Sequence, residues 1–277
     1  MRATAENAQL ALLLEVASTP KPGNVDRARE YPDLRFEHFL AGAVGARDGL
    51  VRAAEGAPVG EAFRAAIAGM SGQSGGNTQF GAILLLTPLV RAAAVDDLSP
   101  AGVESVLAET TVADAADFYR AFEYVDVAVD DPPEDMADLD VRRGADAVPA
   151  VRERGLTFGE LMDRSAPADG VAAELTEGCP RTFETADRIA DGSGPITDRA
   201  AAAFLDGLAA EVDTFVVTKH DRETAEEVRR RANAALEGEE DPEALAAEFV
   251  ERGINPGTTA DIVAGGLFVA LERGLEV

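Results

Sequence analysis

Apolar positions along this chain recur at the three-to-four-residue spacing of amphipathic helices, and no stretch alternates in the two-residue rhythm of a half-buried strand. A first helix is predicted over residues 5–18. It ends at Thr19-Pro20-Lys21-Pro22-Gly23-Asn24, because two prolines and a glycine cannot carry the helical hydrogen-bond ladder onward. The spacing of Phe36, Phe39, Leu40, Val44 and Val51 predicts a second helix over 36–55, followed by a third over 59–70. The helix predicted over 77–94 is apolar almost all round at Ile83-Leu84-Leu85-Leu86, the mark of a central element. Ser99 caps the next helix with Pro100 just inside its start, and another covers 112–124. The acidic, proline-bearing segment 126–154 reads as an irregular surface excursion. Helices resume over 157–165, 168–177, 182–190, 198–211, 221–236, 242–252 and 258–271. Val216-Val217-Thr218 is the one β-branched run, too short to found a sheet. The expected architecture is all-α, a single domain of about ten or more helices spanning 1–277.

Composition supports helices, since Ala supplies much of the 46% apolar content and loses no side-chain entropy in a helical turn. Charge adds more. There are 51 acidic residues against 25 basic ones, a net charge of −26, and only Lys21 and Lys219 among the basic residues are lysine. Such a charge makes the compact state repel itself unless concentrated salt screens it, so a salt-rich cytoplasm is expected. It also argues against nucleic acid and anionic membranes as partners. No stretch approaches the roughly 20 apolar residues of a membrane span, and the N-terminus lacks a signal-peptide pattern. The one cysteine, Cys179, fits a reducing compartment or a core position.

Three loops feeding helices carry candidate chemistry. In the first, Lys21, Pro22, Gly23, Asn24 and Arg27 combine a stiff backbone with positive charge, and Asp26 adds a carboxylate suited to a metal or a ribose hydroxyl. In the second, Gly76, Asn77, Thr78 and Gly81 follow a glycine-rich turn and open a hydrophobic helix, where free N–H groups favour an anion. It is not a P-loop, because no Gly-Lys-Ser/Thr ending is present. In the third, Asn255, Gly257, Thr258 and Thr259 precede Asp261, a carboxylate in the first turn of a helix. Each loop also reads as an ordinary capped turn. Lys219-His220-Asp221 is a fourth candidate, with His220 either a base or a surface residue; His38 reads as structural. Asp163, Asp169 and Glu174 read as charges on helices or their caps. No His/Cys metal constellation and no nucleophile elbow is present.

In order, Glu15 with Thr19-Pro20-Lys21-Pro22-Gly23-Asn24-Val25-Asp26, then Gly76-Asn77-Thr78 with Gly81, then Asp213-Thr214-Phe215-Val216-Val217 with Lys219, then Asn255-Pro256-Gly257-Thr258-Thr259-Ala260-Asp261 resemble the motifs of triphosphoribosyl-dephospho-CoA synthases. The resemblance covers nearly the whole chain, which reads as a divergent, halophile-like, archaeal branch of that family. It implies an all-helical cytoplasmic transferase that displaces adenine from ATP and moves the 5-triphosphoribosyl group to the 2′-hydroxyl of 3′-dephospho-CoA. The same resemblance implies Asp26 and Asp261 as catalytic carboxylates and as ligands of Mg²⁺ carried on the phosphates. Lys21, Lys219 and the amides of Gly76, Asn77 and Thr78 would balance the phosphate charge. Asn24 and Thr258-Thr259 depart from the family pattern, and Val141-Arg142-Arg143-Gly144-Ala145-Asp146 only echoes its mid-chain motif. The departures leave open a ribosyl transferase with another acceptor, a nucleotide N-glycosidase, or a helical protein that binds a nucleotide without turning it over. A homodimer is equally open.

Overall fold

The structure, a computed structural model, describes residues 2–132 and 134–277. Among these residues every regular element is helical. In chain order they are α1 (Thr4–Ala17), α2 (Phe36–Gly45), α3 (Arg47–Ala54), α4 (Val59–Met70), α5 (Phe80–Ala94), α6 (Pro100–Ala108) and α7 (Val112–Ala121). Two 3₁₀ segments follow, Glu134–Leu139 and Val141–Ala147, then α8 (Val148–Arg154), α9 (Phe158–Ser165), α10 (Gly170–Thr176) and α11 (Pro180–Asp191). The chain closes with α12 (Ile196–Ala210), α13 (Thr214–Lys219), α14 (Arg222–Leu236), α15 (Pro242–Glu251) and α16 (Gly257–Glu272).

The two most apolar helices are the innermost. From Thr258 to Leu271 every residue of α16 is buried except Asp261, and α16 lies against α1, α5, α11 and α12. In α5 the run Ala82–Leu89 is wholly buried. One hydrophobic cluster takes members from Ala5 to Leu271, and Phe63, Phe80, Phe118, Phe122 and Phe158 form an aromatic layer within reach of it.

The structure corrects several sequence-based expectations. The helix predicted over 36–55 is divided at Ala46, which takes φ −65° and ψ −15°. Phe39 of α2 packs with Val16 and Val25, whereas Leu50 and Ala53 of α3 enter the main cluster. Segment 126–154 is not wholly irregular. Within it Leu139, Val148 and Val151 are buried, and the Tyr119 hydroxyl donates to the Leu139 carbonyl at 2.7 Å, which ties the segment to α7. Helix α5 begins at Phe80, with Asn77 Oδ1 accepting from the Phe80 amide at 3.1 Å. The β-branched run at 216–218 lies within α13, whose N-cap Asp213 accepts from the Val216 amide. Ser99 caps α6 as expected, accepting from the Gly102 amide at 3.1 Å.

Candidate active site

Local chemistry builds the first wall of the site. Asp26 is 1% exposed and organises the loop that follows α1: its two oxygens accept from the Thr19 hydroxyl, the amides of Lys21, Ala28 and Arg29, and the Arg29 guanidinium. Gly23 takes φ +80°, and a Cβ there would stand 2.2 Å from the Ile254 carbonyl oxygen. That closeness joins this loop to the one before α16. Tyr31 clamps the pair, its hydroxyl 2.6 Å from the Gly23 carbonyl and 3.2 Å from that of Ile254. Asn24 adds bonds from Nδ2 to Asn255 Oδ1 at 3.0 Å and to the Pro256 carbonyl at 3.4 Å.

Lys21 points inward. It is fully buried, with Nζ bonded to Glu15, 3.4 Å from Asn24 Oδ1, and 5.9 Å from the centroid of the Phe204 ring. Burial raises the Glu15 pKa and the Lys21 charge opposes the shift. Such a pair stays ionic only because each partner satisfies the other.

The second wall comes from α13, α16 and α10. Thr214 and Thr258 hydroxyls meet at 2.9 Å, Thr214 accepts from the Gly170 amide at 3.0 Å, and Thr258 accepts from the Phe215 amide at 3.2 Å. Asp213 accepts from the amide and hydroxyl of Thr259, both at 2.8 Å, fixing the first turn of α16. Asp169 caps α10 through Oδ1, and its other oxygen accepts no bond among the described residues. Asp169 is exposed and lines the cavity, where this oxygen meets solvent.

A cavity of about 370 Å³ opens between these walls and α7, α9 and the residues 127–132 and 136–141. Asp261 lies in it, under the backbone of α5: a Cβ on Gly81 would sit 2.0 Å from Asp261 Oδ2, so only glycine admits the carboxyl there. Burial pushes the Asp261 pKa well above the usual carboxylate range, and the charges of Glu15, Asp213 and Asp169 push it further. Such a group holds its proton more tightly than an ordinary carboxyl does. The lining carries Glu15, Asp130, Asp131, Asp140, Asp169 and Asp261 against one basic residue, Arg164.

Of the residues singled out from the sequence, Asn24, Asn77, Thr78, Gly81, Asn255, Gly257, Thr258 and Asp261 are brought together around this cavity. Lys21, Pro22, Gly23 and Asp26 support the wall from behind, and Thr259 is held by Asp213. Three others are not brought to it. Arg27 reaches Thr197 and Asp198 on the surface, Gly76 is exposed in its turn, and Lys219 is exposed at the end of α13. His220 is exposed, its Nε2 standing 3.0 Å from the Gly253 carbonyl oxygen. Glu174 is a buried hub that accepts from Arg181 and Thr182. Sequence reasoning gave Glu15 no chemical role and set Asp169 aside as a cap. An Asp before a helix gives the same signal whether or not its second oxygen faces a cavity.

The ATP:dephospho-CoA triphosphoribosyl transferase family matches residues 1–276 of the chain. The chain belongs to that family. It is accordingly a transferase that moves a triphosphoribosyl group from ATP to dephospho-CoA. Among solved structures it is similar to a proposed triphosphoribosyl-dephospho-CoA synthase from Archaeoglobus fulgidus, with 26% identity and a TM-score of 0.70 over 87% of this chain and 100% of that one. No curated protein matches. No helix among the described residues is long and apolar enough to cross a membrane.

Whether the residues suit Mg²⁺ can be judged from their donors. No group of three or more His, Cys, Asp or Glu stands in a metal-binding arrangement among the described residues. The oxygens of Asp26 are already committed to five donors, so Asp26 and Asp261 do not form a joint metal site. A Mg²⁺ ion bound mainly by substrate phosphates needs only one or two carboxylates from the protein. The open oxygen of Asp169 fits that mode.

Proposed function

We propose that transfer takes place in this cavity, with Asp261 as the group that handles the proton. The observation that carries the reading is the Asp261 carboxyl, held beneath Gly81 with its proton affinity raised by burial and by neighbouring carboxylates. In the reaction the bond from ribose C1′ to adenine breaks and a bond from C1′ to the acceptor 2′-oxygen forms. The hydroxyl proton passes to the ionised form of Asp261, the departing adenine takes a proton from water, and Asp261 then returns its proton to the solvent, so the balance closes. A carboxyl of raised proton affinity is a stronger base, once ionised, than an ordinary one. The N-termini of α5, at Asn77 and Thr78, and of α16, at Gly257 and Thr258, offer amides and hydroxyls to phosphate oxygens. Mg²⁺ riding on the phosphates would offset the negative lining and contact Asp169. Asp26 acts on this reading through the loop it organises. The substrates and the −26 charge support a salt-rich cytoplasm as the workplace.

Adenine release from ATP in high KCl with Mg²⁺, with and without dephospho-CoA, tests the reading. Release should require the acceptor, and Asp261→Asn should lower it about 10²–10⁴-fold while leaving nucleotide binding in place. Release without acceptor would make the enzyme a hydrolase, and an active Asp261→Asn variant would remove Asp261 from the chemistry.

A further inference from the structure

The cavity has two chemically different sides. The polar one is made by α1, α13 and α16, which pack on one another directly or through their loops. The other is made by α7, α9 and the two 3₁₀ segments, which pack together and line the cavity with Phe118, Phe122, Leu139, Val141, Leu161 and Met162. Arg164 at the end of α9 is the one cation there, and it is exposed. These six apolar side chains offer a polyphosphate no hydrogen-bond donor, whereas the N-termini of α5 and α16 on the other side do.

Of the aromatic rings on this side of the cavity, Phe122 is the one left partly open. It follows the last residue of α7 and is only half-buried, whereas Phe80 and Phe118 are 5% and 6% exposed. Those two rings fix it in place, with centroids at 4.9 Å and 5.2 Å and interplanar angles of 55° and 82°. Neither lies parallel to it. A rigid ring on a cavity wall, without a parallel partner and next to aliphatic side chains, fits a flat, uncharged heterocycle.

We propose that the Phe122 ring is the stacking platform for an adenine base, with the ribose and phosphates of the same nucleotide running toward Asp261 and the N-termini of α5 and α16. This rests on the proposed function, in which both substrates are adenine nucleotides. It adds the side of the cavity that takes a base and the side chain that holds it. Stacking is indifferent to the polar edge of the base, so affinity here comes from the ring face and not from hydrogen bonds.

Equilibrium binding of ATP, dephospho-CoA and inorganic tripolyphosphate, measured by calorimetry in high KCl with Mg²⁺, tests this on the unaltered protein, Phe122→Leu and Phe122→Tyr. Leucine keeps apolar bulk but removes the π face, tyrosine keeps the face, and thermal melting checks that each variant is folded. Phe122→Leu should weaken at least one adenine nucleotide about 5- to 150-fold, Phe122→Tyr should bind as the parent does, and tripolyphosphate should not change. A loss confined to ATP assigns the platform to the donor base, and a loss confined to dephospho-CoA assigns it to the acceptor base. Unchanged binding of both nucleotides to Phe122→Leu, or an equal loss of tripolyphosphate, overturns the proposal. If the unaltered protein binds neither nucleotide, the proposed function falls along with it.

Discussion

At the scale of single residues, Asp261 shows how function is set against stability. Its pKa is raised in the folded chain, by burial first and then by Glu15, Asp213 and Asp169. A carboxyl that holds its proton more tightly folded than unfolded costs stability above its folded pKa, and the cost fades as pH falls toward the unfolded value near about 4. Asp261→Asn removes the titrating group, so the variant should melt above the parent at about pH 8, with the gap closing toward about pH 4. Each kcal/mol relieved is worth about 2–4 °C in a large domain. Melting curves across that range check the sign, and a gap independent of pH would show that the carboxyl is not strained. Lys21 teaches the opposite lesson. One of only two lysines in an anion-handling loop reads as a phosphate ligand, but burial against Glu15 and Phe204 makes it part of the wall. A side chain four carbons long can turn either way, and the sequence does not say which.

At the scale of elements, the site depends on two loops that are far apart in sequence and pressed together in space. Gly23 combines φ +80° with contact to the Ile254 carbonyl, so Gly23→Ala would be both strained and crowded. The expected cost is about 1–3 kcal/mol of stability, with a rise in KM for ATP as Asn24 and Asn255 lose register. Chemical denaturation together with steady-state kinetics reads both effects. Wild-type stability and KM would mean that the loops are not coupled. The α-helices themselves were legible because amphipathic spacing is local. The kink at Ala46 was not, because continuous apolar spacing over 36–55 does not reveal that Phe39 and Leu50 belong to different cores. The order within 134–154 was missed for a related reason. Its acidic surface hides the buried Leu139, Val148 and Val151, which make sense only against α7.

At the scale of the whole molecule, charge dominates. Ion pairs spread over the surface, and Arg231, Arg252, Glu227, Glu240 and Glu248 form a network between α14 and α15 and the turn joining them. With acids outnumbering bases 51 to 25, most carboxylates still repel. Raising KCl from about 0.1 M to about 1 M shortens the Debye length from roughly 10 Å to roughly 3 Å, which screens the repulsion more than the closely paired contacts. The melting temperature should therefore climb with KCl. A flat or falling curve would remove salt adaptation from the account of this protein.

The sequence by itself determined the helical class, most helix positions and the four motifs that carry the family resemblance, because helical periodicity, capping residues and turn chemistry are local properties. It also marked Asp261 and the Asn77-Thr78 and Gly257-Thr258 turns, which do face the cavity. Tertiary structure alone decided which candidates meet. It turned Lys21 and Asp26 into wall supports, carried Arg27 and Lys219 away, opened the second oxygen of Asp169 to the cavity, and set the Phe122 ring across from the motifs. The physical reason is that side-chain direction and the proton affinity of a buried carboxyl depend on neighbours up to hundreds of residues away in the chain. No local pattern records those neighbours.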